Sequence, residues 1–159
     1  MVKINLIWSN TDLYGEDFIN IGAFVDEESA NIRRGDVKNL DKFLDNGEAE
    51  TIVAADIIDY LDSNKVGAVI QHWVSKLAHG GTITIGGVDL LEVSRAIFHA
   101  KLSITQANEL IHGSPAAPYL LKRTTYSMLG VVHDLESFGL RVIKKRVDGY
   151  LYLVEAQRP

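Results

Sequence analysis

Two short apolar runs, TIVAAD at 51–56 and TITIGGV at 82–88, bracket a stretch where Val66, Val69, Ile70, Trp73, Val74 and Leu77 recur every three to four residues. The runs are of the kind a strand carries when it is buried on both faces, and the spacing between them is that of a helix with one apolar stripe. Strand, helix and strand in that order imply parallel neighbours joined by a right-handed crossover. The pattern predicts a helix over 63–80, capped by Ser63 or Asn64, with Gly80 as its left-handed terminal residue.

The same alternation runs along the rest of the chain, without an internal repeat or a linker-like shift in composition. Val2 to Trp8, FINIGAF (18–24) and ANIRRG (30–35) read as strands, and LDKFL (40–44) reads as a short helical turn. DLLEVSRAIFHAK follows as a helix. SITQANELIHG is another, with capping-box spacing from Ser103 to Gln106 and a closing Gly113. After the SPAAP loop, TTYSMLGVVHDLESFG makes a last helix ending at Gly139. Two β-rich runs then meet at Asp148-Gly149, a strong hairpin signal because a type I′ turn needs positive φ at both central residues. The expected fold is α/β, one domain over residues 1–159, with helices on both faces of a mostly parallel sheet and an antiparallel C-terminal hairpin.

Composition excludes several classes. A chain of 159 residues, 47% hydrophobic and 23% charged, has the makings of one globular core. Its net charge of -5 argues against a broad nucleic-acid footprint, and the absence of cysteine removes disulfides and thiolate chemistry. No apolar run nears the ~18 residues of a membrane span, and the N-terminus reads as a strand and not a signal peptide, so the expected location is the cytoplasm. Oligomeric state is left open. The five histidines stand singly, without metal-binding spacing, so no metal site is expected.

The order of elements resembles that of the class I S-adenosylmethionine-dependent methyltransferases, over essentially the whole chain. WVSKLAHGGTITIGGVDL (73–90) resembles that family's W-x-R-V-L-K-P-G-G-x-L-x-I-x-V-P-D-L, with Trp73, Leu77, Gly80, Gly81, Ile85, Val88, Asp89 and Leu90 in agreement. FINIG resembles Y-I-N-V-D, GDVKNL resembles x-D-V-x-x-L, VAADIIDYL resembles x-A-S-H-V-L-E-H-L, and ESFGLRVI resembles E-x-A-G-F-x-x-V. The resemblance implies a Rossmann-like three-layer sandwich and S-adenosylmethionine as cofactor. It also locates the departures. The family's L-N-L-G-C-G is met by Ile4 to Ser9, so Ile7 and Ser9 replace the two glycines that admit the methionine part of the cofactor. A Cβ there crowds that approach. The acidic residue that grips the ribose aligns with Gly22, whereas Asp36, which in the family pairs with the adenine amino group, is retained.

On this resemblance, cofactor contacts are expected from Asn5, Ile7, Trp8, Ser9, Asn10, Gly22, Asp36, Val37, Ala55 and Asp56. Trp8 has two readings, stacking on a bound ring or plugging a vacated pocket. Asn5 either reaches the cofactor or satisfies local backbone. Asp56 and Asp59, three apart after the fourth strand, either serve a site or favour the start of a helix. No catalytic residue is assigned, since methyl transfer can rest on alignment alone. HGSPAAPYLLKRTTY (112–126) is a long loop of the kind that carries function. In the resembled family an insertion here covers the substrate side, which makes Tyr119, Lys122, Arg123 and Tyr126, with Asp59, candidates to meet a small-molecule or macromolecular acceptor. Lys144, Lys145 and Arg146 either blunt a sheet edge or meet a phosphate. Two functions are implied: a methyltransferase with a rebuilt cofactor loop, or a domain of the same fold that no longer catalyses and serves as a binding or structural module.

Overall fold

In a computed structural model of the chain, which describes residues 1–9 and 12–159, the predicted strands join in one sheet. Asn10, one of the expected cofactor contacts, lies outside the described residues. The strands are β1 (Val2–Ile7), β2 (Ile19–Gly22), β3 (Ile32–Arg34), β4 (Ala49–Ala54), β5 (Leu77–Val88), β6 (Arg141–Asp148) and β7 (Leu151–Gln157). Their spatial order is β3-β2-β1-β4-β5-β7-β6, with β7 alone antiparallel to its neighbours. This is the expected Rossmann-like sheet with its antiparallel C-terminal hairpin.

Register sorts the side chains by face. Ile4, Ile52, Ile83, Ala156 and Val142 are paired across successive strands and so share one face. Against it pack α1 (Val66–Lys76) and α4 (Met128–Ser137), through Val69, Ile70, Trp73, Val131 and Leu135. Trp73 is fully buried, and its indole N–H donates to the carbonyl of Val37 at 2.8 Å. The next row, Asn5, Val53, Thr84 and Glu155, points the other way, and Thr84 and Glu155 keep partial contact with solvent. Helical cover is thus unequal. The remaining helices, α2 (Leu90–Phe98) and α3 (Ile104–His112), form their own small cluster with Val88 at the carboxyl end of β5.

Local chemistry explains the boundaries. Ser103 and Gln106 make the predicted capping box, Asp89 caps α2 by accepting from Leu91 and Glu92, and Ser127 caps α4. Neither Ser63 nor Asn64 caps α1, which starts at Val66 after Lys65, with no side-chain cap. Its end also differs from expectation. The chain turns extended at Leu77, and Gly80, although its φ is +77°, lies inside β5. The apolar period carries on through Leu77, but sheet pairing with Ala49 captures that residue for the strand. The hairpin turn is displaced by one residue. Asp148 pairs with Leu151, leaving Gly149 (φ +61°) and Tyr150 as the loop, the glycine-first pattern of a type II′ turn.

Candidate functional site

β1, β2 and β4 end side by side, at the edge where open α/β sheets hold their ligands. Three hollows follow one another there. The largest, about 660 Å³, lies between α3 and the β6–β7 hairpin and is lined by Asp56, Gly87, Glu109, Lys122 and Tyr152, among others. Another of about 510 Å³ is walled by Trp8, Phe24, Tyr60, Tyr119 and Arg123. The third holds only about 40 Å³; it shares Trp8 and Tyr60 with the second hollow, and Asp12, Ala55 and Asp56 with the first. A pocket for a drug-sized ligand takes ~300–1,000 Å³. The outer two reach that size and the middle one does not.

Aromatic rings account for the narrowing. Trp8 stacks flat on Tyr60, with centroids 5.0 Å apart and planes 6° off parallel, and leans on Phe24 at 5.2 Å. Phe24 in turn stacks on Tyr119 at 4.5 Å. The Trp8 indole N–H donates to the carbonyl of Tyr119, so the 112–126 loop is tied to the end of β1. Each stacked pair is worth about 0.5–1.5 kcal/mol beyond its buried area. Burial, with the charges of Asp56 and Asp59 nearby, pushes the Tyr60 hydroxyl up to about 12.

Next to the rings, Ile7 and Gly22 are fitted to each other. A Cβ on Gly22 would stand 2.8 Å from both Ile7 Cγ1 and the Ile7 carbonyl oxygen. Position 22 therefore has no room for an acidic side chain while the backbone keeps this course. Asn5 is occupied as well. Its amide donates to Asn20 Oδ1 and to the Asp12 carbonyl, both at 2.8 Å, and Asn20 binds Tyr14 through N–H and carbonyl. The two asparagines fix the returning loop. Ser9 and Ala55 line the smallest hollow. Val37 is buried, and Asp36, exposed beside it, accepts the Lys38 N–H at 2.9 Å and lines none of the three hollows.

Asp56 and Asp59 part company. Asp56 stands at the wall shared by the first and third hollows. Desolvation raises its carboxyl above the usual range, against the pull of Lys122. Neither residue caps a helix, because the turn that follows, Ile58–Tyr60, has no side-chain cap. Asp59 is buried inside that turn. One of its oxygens accepts from Lys122 and from the Val88 N–H, both at 3.2 Å, and its backbone carbonyl takes the N–H groups of Arg123 and Thr124. Burial raises this carboxyl too, and Lys122 opposes the shift. Of the remaining candidates, Arg123 is exposed and pairs with Asp62, and the Tyr126 hydroxyl donates to Asp134. Phe24, Tyr60, Gly87 and Tyr152 also belong to the hollows. Of these, Tyr60 had a signal in the sequence, as a departure from the family pattern within VAADIIDYL.

No family model matches the chain, and no curated protein matches it. Solved structures do, at low identity. A SAM-dependent methyltransferase from Archaeoglobus fulgidus aligns over 99% of this chain and 86% of its own, at TM-score 0.64 and 11% identity. The 1,6-didemethyltoxoflavin-N1-methyltransferase of Burkholderia thailandensis, with bound 1,6-didemethyltoxoflavin and S-adenosylhomocysteine, aligns over 99% of this chain and 71% of its own, at 0.58 and 10%. Magnesium protoporphyrin IX methyltransferase from Synechocystis, with bound S-adenosylhomocysteine, aligns over 81% and 51%, at 0.52 and 14%. The chain thus spans about half the length of some of the proteins it resembles. It has the class I methyltransferase fold.

Proposed function

We propose that the chain is a methyltransferase-fold binding module whose cofactor cleft is closed by its own side chains. The supporting observation is the flat stack of Trp8 on Tyr60, two rings that line the hollow of about 40 Å³ where the resemblance puts the methionine part of S-adenosylmethionine. The match between Ile7 and Gly22 supports the same reading, because it removes both the glycine that would admit the cofactor and the space for a ribose-binding acid. These residues do not fit the cofactor in this arrangement, so no transfer step is assigned. What keeps ligand size is the 660 Å³ cleft beyond Asp56 and the 510 Å³ hollow walled by Trp8, Phe24 and Tyr119. Among the described residues no cluster of His, Asp and Glu could hold a metal ion, and no helix is long and apolar enough to cross a membrane.

Calorimetric titration of the protein with S-adenosylmethionine and S-adenosylhomocysteine tests the reading. The expected result is no heat from either at millimolar concentration. Micromolar binding that weakens in Asp36→Ala would overturn it and restore the methyltransferase with a rebuilt loop.

A further inference from the structure

α2 is apolar on two opposite sides. Val93 and Ala96 are buried and pack in the small cluster with Val88, Leu102 and Ala107. At 3.6 residues per turn, Leu90, Leu91, Ser94, Ile97 and Phe98 fall within about 120° of arc on the other side. All five are exposed, Phe98 to 85% and Leu91 to 48%. A helix on the surface of one globular core turns charged and polar residues outward, and a helix apolar all round is a buried one. The outward face of α2 offers one hydroxyl among four large apolar side chains. Such a contiguous patch, unlike single scattered apolar residues, marks a surface that meets a partner.

The order of residues along the helix selects that partner. Large apolar side chains stand at both ends and Ser94 stands between them, while Glu92 and Arg95 pair along one flank at 3.1 Å. Let two copies of α2 cross antiparallel about a two-fold axis at Ser94. Leu90 is then level with the partner copy's Phe98, and Leu91 with the partner copy's Ile97. Glu92 comes within one residue of the partner copy's Arg95, so opposite charges meet along the flank. This is the self-complementarity that a closed two-fold contact requires. A parallel crossing would instead set Arg95 against Arg95 and Glu92 against Glu92. Lipid is a poorer match, because a helix lying in headgroups carries several Lys or Arg, and α2 has Arg95 alone, balanced by Glu92.

We propose that two copies of this chain associate through α2, antiparallel about Ser94, with Phe98 as the anchor of the contact. The inference goes beyond the binding-module reading and holds whether or not the cofactor binds. One nine-residue helix per copy makes a small interface, so the association is weak and depends on concentration.

Sedimentation equilibrium of the full chain from about 1 μM to 1 mM should show the mass rising from that of one chain toward that of two. Phe98→Glu should weaken association more than about tenfold, and should melt like the wild type at the lowest concentration because the ring is exposed. Glu92→Arg or Arg95→Glu alone should weaken it, and the two together should restore it. The chain has no cysteine, so Ser94→Cys puts a single thiol on the proposed axis. Mild oxidation should link that variant into dimers, whereas Lys42→Cys, exposed in the 40–44 turn, should stay unlinked. The charge exchange and the Ser94→Cys link keep the test decisive if Phe98→Glu folds poorly. The mass of one chain at every concentration would overturn the proposal. So would a dimer that Phe98→Glu leaves intact, or Ser94→Cys chains that do not link. A monomer that co-sediments with vesicles of phosphatidylcholine and phosphatidylglycerol would assign the face to lipid instead.

Discussion

On the β1–β2 side of the carboxyl edge, Asn5 and Asn20 bond to each other and to the returning loop, while aromatic rings fill the space above them. On the β5–β7 side, a few residues away along the same edge, Asp59 and Tyr152 keep buried polar atoms without partners, beside a cleft about sixteen times larger (660 against 40 Å³). Filling a hollow with rings gains buried area, and the indole N–H of Trp8 is satisfied there by the Tyr119 carbonyl. Keeping buried polar atoms unpaired costs about 1–3 kcal/mol each. The contrast is between a side filled by rings and a side that keeps a hollow of ligand size.

The strongest way to break that contrast is to disturb the open side's one charge balance. Lys122→Met leaves the Asp59 carboxylate buried without its cation, and should cost about 3 kcal/mol in urea denaturation. A loss near zero would mean Asp59 is neutral or hydrated, and the two sides would not differ as described. On the closed side, Gly22→Asp should cost about 2 kcal/mol through its clash with Ile7. Paired with Ile7→Gly in a double-mutant cycle, it should show a coupling of about 1 kcal/mol. Strict additivity would deny the mutual fit. Trp8→Ala removes a half-buried ring and should cost about 1–2 kcal/mol. The same variant joins the second and third hollows, so cofactor binding gained by it alone would identify the ring as the only obstacle.

The smallest expected effect is a slope with pH. Burial raises the folded-state affinity of Asp59 for its proton above that of the unfolded chain. The folded state then holds more protons than the unfolded one between the ordinary carboxylate value and the raised one. Stability linked to this group is fully present below that window and is lost as pH rises through it. Denaturation of the wild type and Asp59→Asn across mildly acidic pH should show the wild type losing ground as pH rises. The opposite slope would mean that Lys122 outweighs burial.

Local signals in the sequence carried far. Ser103 and Gln106 announced α3 because a capping box is closed within one turn, and the alternation around TIVAAD and TITIGGV announced parallel β4 and β5. Leu77 misled because it fits the helical period as well as the strand, and only pairing with Ala49 decides between them. Asp148-Gly149 marked the hairpin but not its register, which Leu151 sets from across the turn. The site was less legible for a similar reason. Trp8, Tyr60 and Tyr119 meet from three distant stretches, and so do Asp59, Gly87 and Tyr152, which no local spacing links. Ile7 and Ser9 in place of glycine showed that the first loop was altered, while the fit of Ile7 against Gly22 needed coordinates.

The loop from Gly113 to Thr124 is fastened mainly at its end, from Lys122 to Thr124. Its backbone bonds to the rest of the chain run from Lys122 to the His112 carbonyl and from Arg123 and Thr124 to the Asp59 carbonyl, the Tyr119 carbonyl accepts from Trp8, and the Lys122, Arg123 and Thr124 side chains reach Asp59, Asp62 and the Leu61 carbonyl. That one segment is the common wall of the two larger hollows, through Lys122 for one and Tyr119 and Arg123 for the other. The amides of Arg123 and Thr124 should therefore exchange with solvent in a single opening event. A molecule held on either side slows that event, so occupancy of one hollow is recorded in the exchange rates of the wall it shares with the other.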